Sequence, residues 1–156
     1  MRLRLCAVGR LPGRSEERAL VDEYAKRLVD TGRRVGLSAF EEHEVDQRKH
    51  AGMAAEGEAL RALIPAGYAT VMLDERGRTM ASPDFARRLA RYRDAATDVA
   101  FVIGGADGLD PALRAEADLL LSFGPMVWPH ALARVMLTEQ LYRAASILAG
   151  TPYHRA

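Results

Sequence analysis

Cysteine is nearly absent. Cys6 stands alone in 156 residues, which excludes an intrachain disulfide and any thiolate metal cluster. It alternates with Leu3, Leu5 and Val8 in an apolar run, the setting of a small buried hydrophobe rather than a nucleophile. Lysine is almost as scarce, with only Lys26 and Lys49, so nearly all positive charge is arginine. A coding bias produces that balance as readily as phosphate recognition does. With 22 basic and 21 acidic residues the formal charge is +1, so there is no bulk attraction to nucleic acid, and RNA binding would need locally segregated charge. The start, Met1-Arg2-Leu3-Arg4, lacks the apolar segment of a leader peptide, and no stretch approaches membrane-spanning length. The expectation is a soluble, cytoplasmic protein with no membrane partner.

Familiar catalytic signatures are missing too. The glycines of Gly9-Arg10-Leu11-Pro12-Gly13 do not make G-x-G-x-x-G, which weakens a dinucleotide fold, and no P-loop or G-x-S-x-G nucleophile elbow occurs. His43 and His50 flank a charged stretch at a spacing that matches no metal signature, so no metal is expected.

What is present is globular: 49% hydrophobic and 28% charged residues, in a length suited to one domain over residues 1–156. Residues 2–8 read as a strand. Ser15 caps a helix with Glu16 and Glu17 in its first turn and Leu20, Tyr24 and Leu28 along one face, closed by Gly32. Val35, Leu37 and Ala39 alternate as a second strand, and Glu41 to Lys49 reads as a charged loop. Met53, Leu60 and Ile64 mark a helix weakened by Gly52 and Gly57 and stopped by Pro65. A third strand over 69–73 runs into a polar loop, Asp74 to Arg78. Ser82-Pro83-Asp84 then gives an N-cap and a first-turn proline before Phe85, Leu89 and Tyr92. Residues 99–103 are continuously apolar, Asp110-Pro111 opens a short helix, and Leu119 to Leu121 forms a fifth strand before a long final helix. This alternation predicts an α/β fold, a mainly parallel sheet with helices on both faces. Ligands of such sheets bind beyond the carboxyl ends of the strands, which points to the glycine-bearing loops after Leu73, Ile103 and Ser122. Each glycine alone is equally well explained by an ordinary turn.

Four motifs in order change that balance: Ile103-Gly104-Gly105-x-x-Gly108-Leu109, Pro129-His130-x-x-x-Arg134, Glu139-Gln140-x-Tyr142-Arg143-Ala144, and the closing Pro152-Tyr153-His154-Arg155. Together with Leu3-x-Leu5-x-Ala7-Val8-Gly9 at the start, they make the whole chain closely resemble the RlmH family. These are SPOUT-class methyltransferases that use S-adenosylmethionine to methylate N3 of a pseudouridine in helix 69 of 23S ribosomal RNA. The resemblance implies a SPOUT fold with a C-terminal trefoil knot, a homodimer, and action on assembled ribosomes. The dimer has separate support, because Leu132, Val135, Met136, Leu137, Leu141, Ala144, Ala145 and Leu148 spread over several faces of the last helix. A central core helix in a monomer has the same pattern.

The resemblance also implies site residues. Leu73, Gly104 and the segment Phe123, Gly124, Pro125, Met126, Val127 and Trp128 enclose the cofactor, mostly through backbone groups. Gly124-Pro125 and Val127-Trp128 replace the serine-leucine and Leu-Thr-Leu run usual there. His130, Arg134 and Arg143 bind substrate, with Arg134 holding a phosphate or a uracil carbonyl. Tyr153, His154 and Arg155 are the catalytic group, with the imidazole of His154 as a chemically reasonable base for the imide proton. Without the family, His130 is a polar group at a helix start and the last residues an ordinary chain end. Other readings remain open: a SPOUT methyltransferase acting on another RNA such as transfer RNA, or a ribosome-associated factor that has lost catalysis.

Overall fold

Continuous and alternating apolar runs become five parallel strands in the computed structural model, which describes residues 1–155. Ala156, the last residue of the expected domain, lies outside the described residues. The elements are β1 (Arg2–Val8), α1 (Glu16–Gly32), a 3₁₀ turn (Arg33–Val35), β2 (Ala39–Val45), α2 (Met53–Leu63), β3 (Ala69–Arg78), α3 (Ser82–Asp94), β4 (Val99–Ile103), α4 (Pro111–Arg114), β5 (Leu119–Leu121) and α5 (His130–Ala149). The sheet order is β2-β1-β4-β3-β5.

The two faces of the sheet carry separate cores. Leu3, Leu5, Val71, Val99 and Phe101 face Leu28 of α1, Phe85 and Leu89 of α3, and Leu137, Leu141 and Ala144 of α5. Cys6, Val8, Met72 and Val102 face Leu60 of α2 and Leu113 of α4. Cys6 is fully buried, and burial pushes its thiol up to about 11, so it is an inert core group. Every residue of β4 is buried, as a central parallel strand requires.

Local chemistry explains most of the element ends. Ser15 accepts from the Arg18 amide at the start of α1, and Asp110 accepts from the Leu113 amide at the start of α4. Gly57 in mid-helix is forced by packing, since a Cβ there would lie 2.8 Å from the Asp110 Cβ.

Four expectations are corrected. The second strand begins at Ala39 rather than Val35, and it runs through the charged stretch that reads as a loop. Its glutamates are tolerated because β2 is an edge strand whose side chains meet arginines: Glu41 meets Arg4 at 2.7 Å, and Glu42 meets Arg18 at 2.6 Å. Asp74 to Arg78 is a continuation of β3 past an irregularity in its pairing with β5, so Gly77 is no turn glycine. A Cβ on Gly77 would come within 2.7 Å of the Leu120 backbone. The cap of α3 is Ala81, and Ser82 donates to Gln140 on α5 at 2.7 Å. Finally, Leu20 on the expected inner face of α1 is 43% exposed, while Val21 is buried.

Candidate active site

The carboxyl ends of β3, β4 and β5 open on a cleft of about 400 Å³. Its walls include Leu73 and Asp74 from β3, the turn from Ile103 to Leu109 after β4, Leu121, Phe123, Gly124, Met126, Val127 and Trp128 after β5, and His130 with Ala133 on α5. Of the residues expected at the cofactor, Leu73, Gly104, Phe123, Gly124, Met126, Val127 and Trp128 line it, and Pro125 does not. Gly124 has a φ of +105° with nothing near its missing Cβ, and the Ser122 hydroxyl accepts from its N–H at 3.1 Å and donates to its carbonyl at 3.2 Å. Gly104 is needed for another reason: a Cβ would lie 2.8 Å from the Gly108 backbone, so this turn closes tightly on itself. Met126 and Val127 are 70% and 86% exposed, which makes this rim unusually apolar for surface.

Asp74 was not singled out by the sequence. Its carboxylate accepts from the Arg76 amide at 2.8 Å and lies 3.6 Å from Arg114, fixing the edge of the cleft. The only signal was a polar run after an apolar strand, which looks like any loop.

His130 and Arg134 start α5 on one face, but their environments differ. His130 lines the cleft, and its Nε2 would be 3.3 Å from a Cβ on Gly9. Arg134 is fully buried, and its expected contact with substrate is corrected by what it holds instead. Its Nη1 donates to Glu44 at 2.5 Å and Glu42 at 3.2 Å, and its Nη2 donates to the Gly9 carbonyl at 2.8 Å. Arg134 therefore ties α5 to the end of β1 and to the edge strand, with no face open to a ligand. The glutamates it needs lie in the stretch that reads as a loop, so nothing local signals the pairing.

The chain end folds back along α5. Tyr153 donates to Glu139 at 2.9 Å, and its ring lies 4.4 Å from that of Tyr142 and under the Arg143 guanidinium at 4.7 Å. Burial and the neighbouring Glu139 carboxylate raise the Tyr153 phenol well above its ordinary value, so it stays a proton donor at neutral pH. Arg143 spans Glu139 at 2.6 Å and the Nδ1 of His154 at 3.3 Å. That contact occupies the lone pair a histidine base would use. Arg155 is exposed and takes part in no ion pair among the described residues. Glu139 is thus the hub of the tail, a role its place in a motif hinted at but did not specify.

Glu139 follows His130 by nine residues, about two and a half helical turns, so the tail and the cleft lie on opposite sides of α5. Between α1, α3 and α5 on the tail side runs a second, larger cavity of about 500 Å³, lined by Leu20, Tyr24, Met80, Phe85, Met136 and Glu139 among others. It shares Leu121, Phe123 and Gly124 with the smaller cleft, so the two hollows adjoin at the end of β5.

Residues 1–154 match the family described as "Predicted SPOUT methyltransferase". The chain belongs to the SPOUT methyltransferases. Among relatives of this SPOUT chain, the ribosomal RNA large subunit methyltransferase H of Cereibacter sphaeroides is 60% identical over 99% of both chains. The protein of the same name from Dinoroseobacter shibae is 59% identical over the same shares. A solved structure, a probable methylase family protein from Haemophilus influenzae, superposes with a TM-score of 0.50 at 14% identity, covering 99% of this chain and 70% of that one. That likeness supports the SPOUT fold for the parallel sheet and its helices. No helix among the described residues is long and apolar enough to cross a membrane.

Proposed function

We propose that the protein transfers a methyl group from S-adenosylmethionine to large-subunit ribosomal RNA, with N3 of a pseudouridine in helix 69 of 23S rRNA, in the assembled ribosome, as its target. One observation supports the reading: full-length relatives at 59–60% identity are named ribosomal RNA large subunit methyltransferase H. The cleft suits the cofactor. It has apolar walls at Leu73, Ile103 and Phe123 for a purine face, glycine backbone without side-chain bulk at Gly104, Gly105 and Gly124, and a volume within the range of small-molecule sites.

When bound, S-adenosylmethionine supplies a methyl group on a cationic sulfur. The chain's task is to align the imide nitrogen with that group and to accommodate the proton it loses, and alignment alone can account for several powers of ten in rate. His130 at the cleft edge meets the base, and exposed Arg155 meets a phosphate. Tyr153, kept protonated, donates to a carbonyl oxygen on which charge develops, but only once its hydroxyl leaves Glu139. His154 serves as base only once its Nδ1 leaves Arg143.

Glu139, which holds the tail, faces away from His130 across α5, so we further propose a homodimer in which one copy's tail completes its partner's cleft. Leu20 and the apolar groove between α1, α3 and α5 support this, as an unpartnered apolar surface suited to a second copy. A formal charge of +1 supplies little general attraction to RNA, so the ribosome itself supplies much of the docking surface, and naked rRNA is a poor substrate.

Mass spectrometry of rRNA from cells lacking the protein tests the reading. One methylpseudouridine should vanish, return with the wild type, and stay absent with Arg155→Ala. An unchanged rRNA methylation pattern would overturn the proposal.

A further inference from the structure

A second crevice adjoins the cleft. β1 and β4 are neighbours, yet β1 leads into α1 on one face of the sheet and β4 toward α4 on the other. Between such strands the outgoing loops part, and open parallel sheets use that gap for ligands. Three polar side chains from three separate elements converge there over two glycines. A Cβ on Gly9 would lie 3.3 Å from His130 Nε2 and 3.9 Å from Gln47 Oε1, and one on Gly105 would lie 2.8 Å from Glu56 Oε2 and 3.3 Å from Gln47 Nε2. The Gln47 amide therefore lies between the two glycines, its oxygen on the imidazole side and its nitrogen on the carboxylate side, with no hydrogen bond joining the three side chains. Any side chain at Gly9 or Gly105 would drive the three apart.

We propose that Glu56, with Gln47, is a positioning residue for His130, holding the imidazole in the crevice between the ends of β1 and β4 at the edge of the cleft. The proposal rests on the methyltransferase reading above and adds two residues to it. The surrounding charges fit. Burial and the nearby Asp107 raise the Glu56 carboxyl, and His130 opposes them, so the imidazole is the group that relieves this pair of acids. Glu56 faces His130 from α2 and Asp107 from the loop after β4, whereas Glu44 and Arg134 beneath Gly9 are paired to each other. His130 is the first residue of α5. A ring fixed in this way is ready to meet a carbonyl of the target base as that base loses its proton.

The test uses full-length Glu56→Gln and Glu56→Asp. The ring resonance of His130, assigned with a His130→Asn variant, is followed by NMR against pH, and methyl transfer is measured on ribosomes. Loss of a nearby carboxylate makes an imidazolium easier to deprotonate, so in Glu56→Gln the midpoint should move to lower pH, by less than the full coupling because Asp107 remains. The same variant should lose about tenfold in kcat, as for one charge-assisted contact, with KM and cofactor affinity within about twofold. Glu56→Asp should restore part of both. An unmoved midpoint, or a loss of cofactor affinity as large as the loss in kcat, would overturn the assignment, the latter by making Glu56 a cofactor contact. The NMR arm needs no turnover, so it still tests the coupling if wild-type protein fails to methylate ribosomes, in which case the methyltransferase reading fails by itself.

Discussion

Replacing Arg134 by methionine separates a structural arginine from a substrate-binding one. The substitution keeps an unbranched stem of similar reach and removes donors to Glu42, Glu44 and the Gly9 carbonyl. Breaking one side of a buried ion pair costs about 3–5 kcal/mol, because the remaining charges lose their compensation. Here Arg18 still reaches Glu42 at 2.6 Å and Glu44 at 3.6 Å, and both glutamates touch solvent, so the low end applies, about 3 kcal/mol. For a domain of this length that is a fall of about 6–12 °C in Tm. Circular dichroism melts at one fixed protein concentration would measure it. The difference should also depend on pH in one direction. Burial works against the ionised Glu44, but the Leu11 amide and Arg134 outweigh it and hold the carboxyl below its ordinary value. A carboxylate lowered in the folded state contributes stability above the ordinary carboxylate range and loses it as pH falls through the lowered value. The gap between wild type and variant should therefore narrow toward acid. A variant that melts like the wild type but needs far more ribosome to reach half-maximal rate would refute this reasoning and return Arg134 to the substrate.

Gly104→Ala should cost about 1–3 kcal/mol and cofactor affinity with it, because the new methyl would meet backbone at 2.8 Å rather than a movable side chain, and calorimetry with S-adenosylhomocysteine reads both losses. Leu20→Glu should turn a sedimenting dimer into monomer while barely moving the circular dichroism spectrum, since Leu20 is already exposed within one protomer. A persisting dimer would show that the groove beside Leu20 is not the interface. Trp128 is the sole tryptophan and lines the cleft, so S-adenosylhomocysteine should change the intrinsic emission, and a flat titration at saturating ligand would remove Trp128 from the site. Tyr153→Phe should keep the stacking on Tyr142 and lose one hydrogen bond, about 1 kcal/mol, while lowering kcat more than KM.

The sequence made the fold legible wherever burial set the pattern. β4 announced itself by unbroken apolar residues, and α1 and α4 by their caps at Ser15 and Asp110. It failed at β2, where Glu41, Glu42, His43 and Glu44 conceal a strand whose partners Arg4, Arg18 and Arg134 come from three other elements. Pairings across 24 to 92 residues leave no local trace. The same blindness misjudged Arg134, since arginine in isolation suggests phosphate and only the folded chain shows the two carboxylates waiting for it. The cleft was legible through motif order, because glycines and apolar residues act there by backbone and shape. Glu56 and Gln47 were not, because what marks them is proximity to Gly9 and Gly105 across the end of the sheet.

The charges along β2 have a consequence for how copies of this protein meet. A sheet grows by adding strands at its rims, and both rims here are unsuited to growth: β5 offers only three residues, and β2 carries charged side chains already tied to arginines of its own chain. Strand-to-strand association, the route to fibrous aggregates, is closed at both ends, which leaves helix faces as the surfaces through which two copies can join.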